Sequence, residues 1–299
     1  MKNSTAHSDT YFDGSDTPFC DTTKISVVIV NYFKGNQVVE CVGSLRKQSI
    51  SHCFEYVVLD NSVSQSEKEV LLQGLGSDVK TIFPCRNLGY SKGVNAAVKC
   101  CRTPSHVLLV NPDIVVPSEQ AIETMLTEML GDDRIGVLGT LQRNPNGEVV
   151  EVARRFPSFH KLFARRLFPG SYMDSHLLEP LLGENPIDRV EVDWVQSSFT
   201  LVRDSLWHGV GGLNERYYIF MADVDLGKRA VDSGYKVVVT SSVIVFADGL
   251  RASRGGIKSI FKSRALRVHV LDAVKYFVSA WIPERICERR TSLVVSQNS

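Results

Sequence analysis

The residues in this sequence best placed to do chemistry are carboxylates and amides that follow short apolar runs. Asp113 is the clearest. It comes after His106-Val107-Leu108-Leu109-Val110, which suits a short buried strand. Asn111-Pro112 must end that strand, because proline has no N–H to give a ladder and disfavours helix in the residue before it. A carboxylate on a rigid turn just past the carboxyl end of a core strand lies on the rim where open α/β sheets bind ligands. With no cation beside it in sequence, Asp113 suits a metal ion or a sugar hydroxyl. Its competing use is to cap the following helix, and Ser118 is equally placed for that job. Two more strands end in polar groups, Asn31-Tyr32 and Asp60-Asn61. Asp60 and Asn61 suit the hydroxyl and imide groups of a nucleotide, with Asn87, Gly89 and Asn95 lining its other side, where glycine lets backbone approach a ligand closely. Asp223 and Asp225 follow the aromatic run Tyr217-Tyr218-Ile219-Phe220. At i, i+2 on a helix they point to different faces, so they cannot both address one atom. Asp225 is also four residues from Arg229, an ion-pair spacing.

These residues need a scaffold, and the apolar pattern supplies one. Strands are expected at Lys24–Tyr32, Phe54–Asn61, Val79–Phe83 and His106–Val110, and helices at Val38–Gln48, Glu67–Leu75 and Val94–Cys101. The resulting β-α-β-α-β-α-β order is that of a Rossmann-like, mostly parallel sheet with helices on both faces. A helix over Ser118–Leu130, a strand over Ile135–Gly139 and a hairpin turn at Asn144–Glu148 follow. Further on come a strand over 191–202 broken near Gln196, a short helix over Ser205–Val210, an amphipathic helix over 224–233 and a last strand at Lys236–Val239. Residues 1–23 are polar and aperiodic, a flexible leader. The 154–189 stretch is basic early, with phenylalanines interleaved; a poorly periodic helix pair and an acceptor-side or membrane-facing insertion are its two readings. Beyond Gly249 the chain becomes basic, with apolar residues at helical spacing, and is read as an amphipathic helical extension over 251–299.

Composition removes several classes. The 299 residues carry 34 Lys and Arg against 33 Asp and Glu, a net charge of +1, so no global field points to nucleic acid. Seven scattered cysteines lack C-x-x-C or zinc-type spacing and read as reduced thiols of a cytosolic protein. No run approaches the roughly 20 apolar residues of a membrane span. Neither G-x-G-x-x-G nor G-x-x-x-x-G-K-[ST] follows the first strand, which disfavours a dinucleotide dehydrogenase and a P-loop ATPase.

Seven stretches, in order, resemble family 2 inverting glycosyltransferases of the GT-A fold, and among these the rhamnosyltransferase-like branch. They are Val27-Val28-Ile29-Val30-Asn31-Tyr32, Val58-Leu59-Asp60-Asn61-Ser62, Asn87-Leu88-Gly89-Tyr90-Ser91-Lys92-Gly93-Val94-Asn95, Leu109-Val110-Asn111-Pro112-Asp113, Val192-Asp193-Trp194-Val195, Gly211-Gly212-Leu213-Asn214-Glu215-Arg216-Tyr217-Tyr218 and Asp223-Val224-Asp225-Leu226. The resemblance covers about residues 24–270. It implies a GT-A domain over 24–250, with 24–117 the nucleotide-sugar half and 118–250 the acceptor half.

By resemblance Asp60 contacts the base or ribose of the donor, within a donor site of Asn31, Tyr32, Asn61, Asn87, Gly89, Lys92, Asn95 and Asn111. Asp113 fills the family's D-x-D position as N-P-D and would hold Mg²⁺ or Mn²⁺ on the donor pyrophosphate. Asp223 matches the catalytic base. Trp194, Gln196 and Asp225 fall in the acceptor and sugar pocket. Two departures stand out: Ala222 occupies the place of a usual glutamate, and Val243–Gly249 lacks the usual histidine ligand, so Asp248 would have to substitute. The implied reaction moves L-rhamnose from dTDP-L-rhamnose to a lipid-linked glycan for cell-surface polysaccharide, at the cytoplasmic membrane face and with the basic tail as a peripheral attachment. A GT-A protein that binds sugar nucleotide without turnover, the same chemistry with another hexose, and a homodimer are left open.

Overall fold

The computed structural model describes residues 23–101, 105–156, 177–182, 187–248 and 264–281. In chain order the elements are β1 (Ile25–Asn31), α1 (Gly35–Leu45), β2 (Phe54–Asp60), α2 (Gln65–Leu75), β3 (Val79–Ile82), α3 (Tyr90–Val98), β4 (His106–Val110) and α4 (Ala121–Gly131). They continue with β5 (Ile135–Arg143), β6 (Val149–Val150), β7 (Ala153–Arg154), β8 (Arg189–Val192), β9 (Trp194–Val195), β10 (Phe199–Val202), α5 (Asp204–Gly209), α6 (Ala222–Asp232), β11 (Lys236–Phe246) and α7 (Arg264–Trp281).

The main sheet runs β3-β2-β1-β4-β10-β5-β11-β8, with β6 paired to β5. β3, β2, β1 and β4 are parallel, β11 is parallel to β5, and β10 and β8 run antiparallel to their neighbours. The mostly parallel α/β architecture is therefore as expected. Because side chains alternate along a strand, each central strand feeds two cores. Val27, Ile29, Val58, Leu108 and Val110 face α1, α2 and α4, whose Val38, Leu45, Leu71 and Met125 are buried with them. Val28, Val57, Leu59, Val107 and Leu109 face the layer of α3, α5, α6 and α7, where Val94, Trp207, Leu226 and Tyr276 lie.

Several boundaries move from their sequence-based positions. α3 begins at Tyr90 rather than Val94, because Gly89 is its left-handed lead-in at φ 81°. α4 begins at Ala121, and neither Asp113 nor Ser118 caps it: the Gln48 side chain accepts from Ile122 N at 3.1 Å, a cap supplied from another element. α6 begins at Ala222 rather than 224, which draws Asp223 into its first turn. β5 and β11 are longer than expected and pair with each other along most of their length. The 191–202 stretch breaks twice, into β8, β9 and β10. His106 opens β4, and its Nδ1 accepts from Asp204 N at the start of α5; burial lowers its pKa.

The C-terminal helix is not a free extension. Asp272 and Tyr276 of α7 are buried against the domain, and Tyr276 joins the core beside Tyr217. All but the last residue of the leader over 1–23, most of the basic 154–189 stretch and the tail segments 249–263 and 282–299 lie outside the described residues.

Candidate active site

Parallel strands deliver their carboxyl ends to one rim, and the expected polar groups gather there. Asn31, at the end of β1, pairs in register with Asp60 at the end of β2. Asn31 Nδ2 donates to Asp60 Oδ1 at 3.0 Å and to Glu67 at 3.2 Å. Ser62 gives Asp60 two more bonds, from its N–H and its hydroxyl. Asp60 also lines a cavity of about 200 Å³ with Val63, Ser64, Gln65, Lys68, Phe83 and Pro84. An aromatic wall beside a fixed carboxylate suits a heterocyclic base. Tyr32 and Phe33 stand exposed beyond β1 with their rings edge to face. Phe33, Val63 and Met221 are the non-glycine residues at positive φ among those described, and they adjoin the ends of β1 and β2 and the start of α6. Strain collected in this way is a mark of functional sites.

The loop before α3 is built by its own amides. Asn61 Nδ2 donates to Gly89 O and its Oδ1 accepts from Leu88 N, both at 2.9 Å. Asn87 Oδ1 accepts from Gly89 N and from the Tyr218 hydroxyl. Asn95 exchanges two bonds with the backbone of Leu213. Asn61, expected to face a nucleotide, thus spends its side-chain amide on shaping the loop, and Asn95, expected to do the same, ties α3 to the segment before α6. The reason is that both are buried and must find partners inside the protein. Lys92 is exposed on the first turn of α3.

Asp113 and Asp248 come together from opposite ends of the sequence. Asp113 lies past β4. Val115 and Phe246 exchange backbone bonds at 2.9 Å, which carries the end of β11 to the same place. Lys34 Nζ stands 3.0 Å from Asp248 and 3.7 Å from Asp113. Burial and a hydrogen bond with Asp248 hold Asp113 well above the usual carboxylate range, against the lowering pull of Lys34. Two part-buried carboxylates forced into contact fit a divalent cation, and an all-oxygen donor set suits Mg²⁺ or Mn²⁺. Among the described residues no group of three or more His, Cys, Asp or Glu converges as a metal cage, so a bound ion would draw further ligands from elsewhere.

Asp223 is brought to the same rim by the antiparallel strand. β10 pairs with β4, and Asn111 N donates to Ser198 O at 2.7 Å. The neighbouring Ser197 hydroxyl donates to Asp223 Oδ1. Tyr90 OH donates to Ser197 O at 3.1 Å, so α3, β10 and α6 meet at this point. Burial raises Asp223 to about 6, while Ser197 and the more distant Arg154 pull the other way. A carboxylate poised near neutrality is suited to take a proton from a hydroxyl. Asp225 is turned elsewhere, 2.5 Å from Arg229 Nε and bonded to Asn214, as its helical spacing allowed. Trp194 is part-buried under the Arg154 guanidinium, 5.5 Å from its ring, and its indole donates to Arg155 O. Trp194 packs on α6 where Gly227 leaves room for it. Gln196, just past β9, donates its backbone N–H to Val152 O at 2.8 Å. Lys34, Glu67, Tyr90, Arg154 and Ser197 join the site through tertiary contacts. Of these only Tyr90 carries a local signal, since it follows the glycine of the loop.

Comparison with known proteins agrees with this geometry. Residues 26–178, just over half the chain, match the family described as Glycosyl transferase family 2. Curated relatives from two Mycobacterium tuberculosis strains, CDC 1551 / Oshkosh and H37Rv, are both named N-acetylglucosaminyl-diphospho-decaprenol L-rhamnosyltransferase. Each is 28% identical over 243 residues, covering 75% of this chain and 76% of the relative. Among solved structures, S. aureus TarS 1-349 in complex with UDP aligns with a TM-score of 0.51 at 18% identity, over 75% of this chain and 60% of that one. GalNAc-T7 with UDP, GalNAc and Mn²⁺ aligns with a TM-score of 0.54 at 12% identity, over 81% of this chain and 47% of that one.

Proposed function

Since the chain belongs to glycosyl transferase family 2 and is a glycosyltransferase of the GT-A fold, we propose that it transfers L-rhamnose from dTDP-L-rhamnose to a hydroxyl of a lipid-linked, N-acetylglucosamine-containing acceptor, with inversion. The observation that carries the reading is the convergence on one rim of a base-like carboxylate, Asp223, and an oxygen-ligand pair, Asp113 with Asp248. The choice of sugar and acceptor rests on the named activity of the 28% identical relatives.

In this reading Asp60 and the cavity beside Phe83 receive the nucleoside. Gly89, packed closely under Tyr218, sets the shape of the loop before α3 on the donor side. Asp113 and Asp248 would hold a divalent cation, which when bound neutralises charge growing on the nucleoside diphosphate leaving group. Asp223 takes the proton of the acceptor hydroxyl as its oxygen attacks the anomeric carbon. The carbon–oxygen bond to the diphosphate breaks on the opposite face, and the anomeric centre inverts. Ser197 holds Asp223 in place through its hydroxyl, and Tyr90 fixes Ser197 from behind.

No helix among the described residues is long and apolar enough to cross a membrane. A lipid-linked acceptor lies at a bilayer, where an exposed amphipathic helix face is suited to meet it. The outward side of α7 carries Leu271, Val274 and Val278, each at least half exposed, with Arg267 also exposed on the helix. We assign this stripe to the anionic cytoplasmic leaflet, where apolar insertion and basic charge act together.

The test is transfer itself. Purified protein with dTDP-L-rhamnose, Mn²⁺ and a polyprenyl-diphosphate-linked N-acetylglucosamine should give a single inverted product. A thermal-shift screen of dTDP-, UDP- and GDP-sugars with and without Mn²⁺ should favour the dTDP donor. A shift with UDP-sugars alone would overturn the rhamnose assignment and leave the transferase reading standing.

A further inference from the structure

The strongest polar cluster outside the reaction centre is on α7. Asp272 is 1% exposed, and its carboxylate accepts from three consecutive backbone N–H groups. Tyr218 N lies 3.0 Å from Oδ2 and 3.1 Å from Oδ1, and Ile219 N and Phe220 N each lie 3.0 Å from Oδ2. Three successive N–H groups converging on one point form an anion-binding nest. Neither a helix nor a sheet could satisfy them in this loop, which pairs with no strand. The nearby cation, Lys275, is 3.5 Å away and also donates to Arg216 O, on the same loop.

What this loop holds gives the nest its meaning. Its next residue, Met221, has φ 68°, a left-handed conformation unfavourable for a side chain of that kind. That turn delivers the chain into α6, with Asp223 in its first turn. On the other side Tyr218 O accepts from Tyr90 N at 2.6 Å, the Tyr218 hydroxyl donates to Asn87 Oδ1 at 2.8 Å, and the Tyr218 ring covers Gly89. One loop therefore fixes both the entry to the base helix and the loop before α3.

We infer that Asp272 is a positioning residue for catalysis: by clasping the amides of Tyr218, Ile219 and Phe220 it holds the strained turn at Met221, and through it sets Asp223 and the loop at Asn87–Tyr90 in working register. The C-terminal helix is then part of the catalytic apparatus, although it contributes no group to the reaction. This rests on reading Asp223 as the base.

The test compares Asp272→Asn with the wild-type chain, both full length. Asparagine keeps the shape but removes the charge and leaves one accepting oxygen where the carboxylate offers two. The amides of 218–220 should exchange with deuterium much faster while those of β1 and β4 stay protected. kcat should fall about 10- to 100-fold. The acid limb of the kcat/KM profile should move down toward the ordinary carboxylate range as the released Asp223 meets water, and Asp272→Glu should restore part of the rate. An unshifted acid limb with kcat reduced only in proportion to folded protein would overturn the inference, as would unchanged exchange at 218–220. Should Asp272→Asn fail to fold, the same three readings are taken on Asp272→Glu, where a milder shift in the same directions is expected and wild-type values refute. The outcome is separable from the base assignment: full activity in Asp223→Asn would remove Asp223 as base, whereas the exchange measurement reports on the clasp alone.

Discussion

At the scale of single residues, the site is a set of carboxylates kept in different states by their surroundings. Asp223 is raised to about 6 from the ordinary 3.8 of an aspartate, chiefly by burial. Between those values the folded chain holds the proton and the unfolded chain does not, so stability falls as pH rises from about 4 to 6 and remains lower above. Asp223→Asn should therefore lose transfer by about 10²- to 10⁴-fold. It should also raise the melting temperature at pH 7.5, with a gain of at most about 3 kcal/mol that vanishes below about pH 4. In the wild type kcat/KM should drop as pH falls through about 6, because the base must be free of its proton. Asp113 has a different task. Asp113→Ala should abolish the Mn²⁺-dependent part of donor binding, read by calorimetry with and without the ion, while circular dichroism stays native. Binding that keeps its Mn²⁺ dependence would return Asp113 to a structural role.

At the scale of elements, the loop before α3 is the piece whose shape is most specified. Gly89 sits at φ 81°, and a β-carbon there would lie 2.6 Å from the Tyr218 ring and carbonyl. Gly89→Ala should destabilise the chain by about 1–2 kcal/mol from the backbone conformation alone. Its larger effect should be on the donor, whose KM should rise while the protein remains folded. The sequence showed a glycine-bearing loop entering a helix here. It did not show that Asn61 and Asn95 face inward, because a buried amide and a ligand-facing amide have the same local pattern. The helix starts were shifted for a related reason: α4 is capped by Gln48, some seventy residues away, and α6 follows a left-handed methionine that no propensity would choose.

At the scale of the whole molecule, a three-layer α/β/α body carries one catalytic rim and one amphipathic helix docked beside it. The inner side of α7 is tied to the loop before α6, and its outer side shows Leu271, Val274 and Val278. Replacing these three with serine should weaken binding to vesicles containing anionic lipid and slow transfer to a membrane-embedded acceptor. The melting temperature and the rate on a short-chain, water-soluble acceptor should stay unchanged. A loss on both acceptors would place the stripe in the fold rather than at the bilayer.

The sequence alone determined the layered α/β class, since short apolar runs, the strand-ending Pro112 and turn glycines are local and survive any tertiary arrangement. Its polar strand ends also marked Asn31, Asp60 and Asp113 as rim residues, because a parallel sheet leaves them nowhere else to go. Tertiary structure decided the partnerships. Lys34 lies between Asp113 and Asp248, Ser197 holds Asp223, and Asp272 clasps the amides of Tyr218 to Phe220. Each joins residues far apart in sequence, and their meeting depends on strand order and register, which no local spacing encodes.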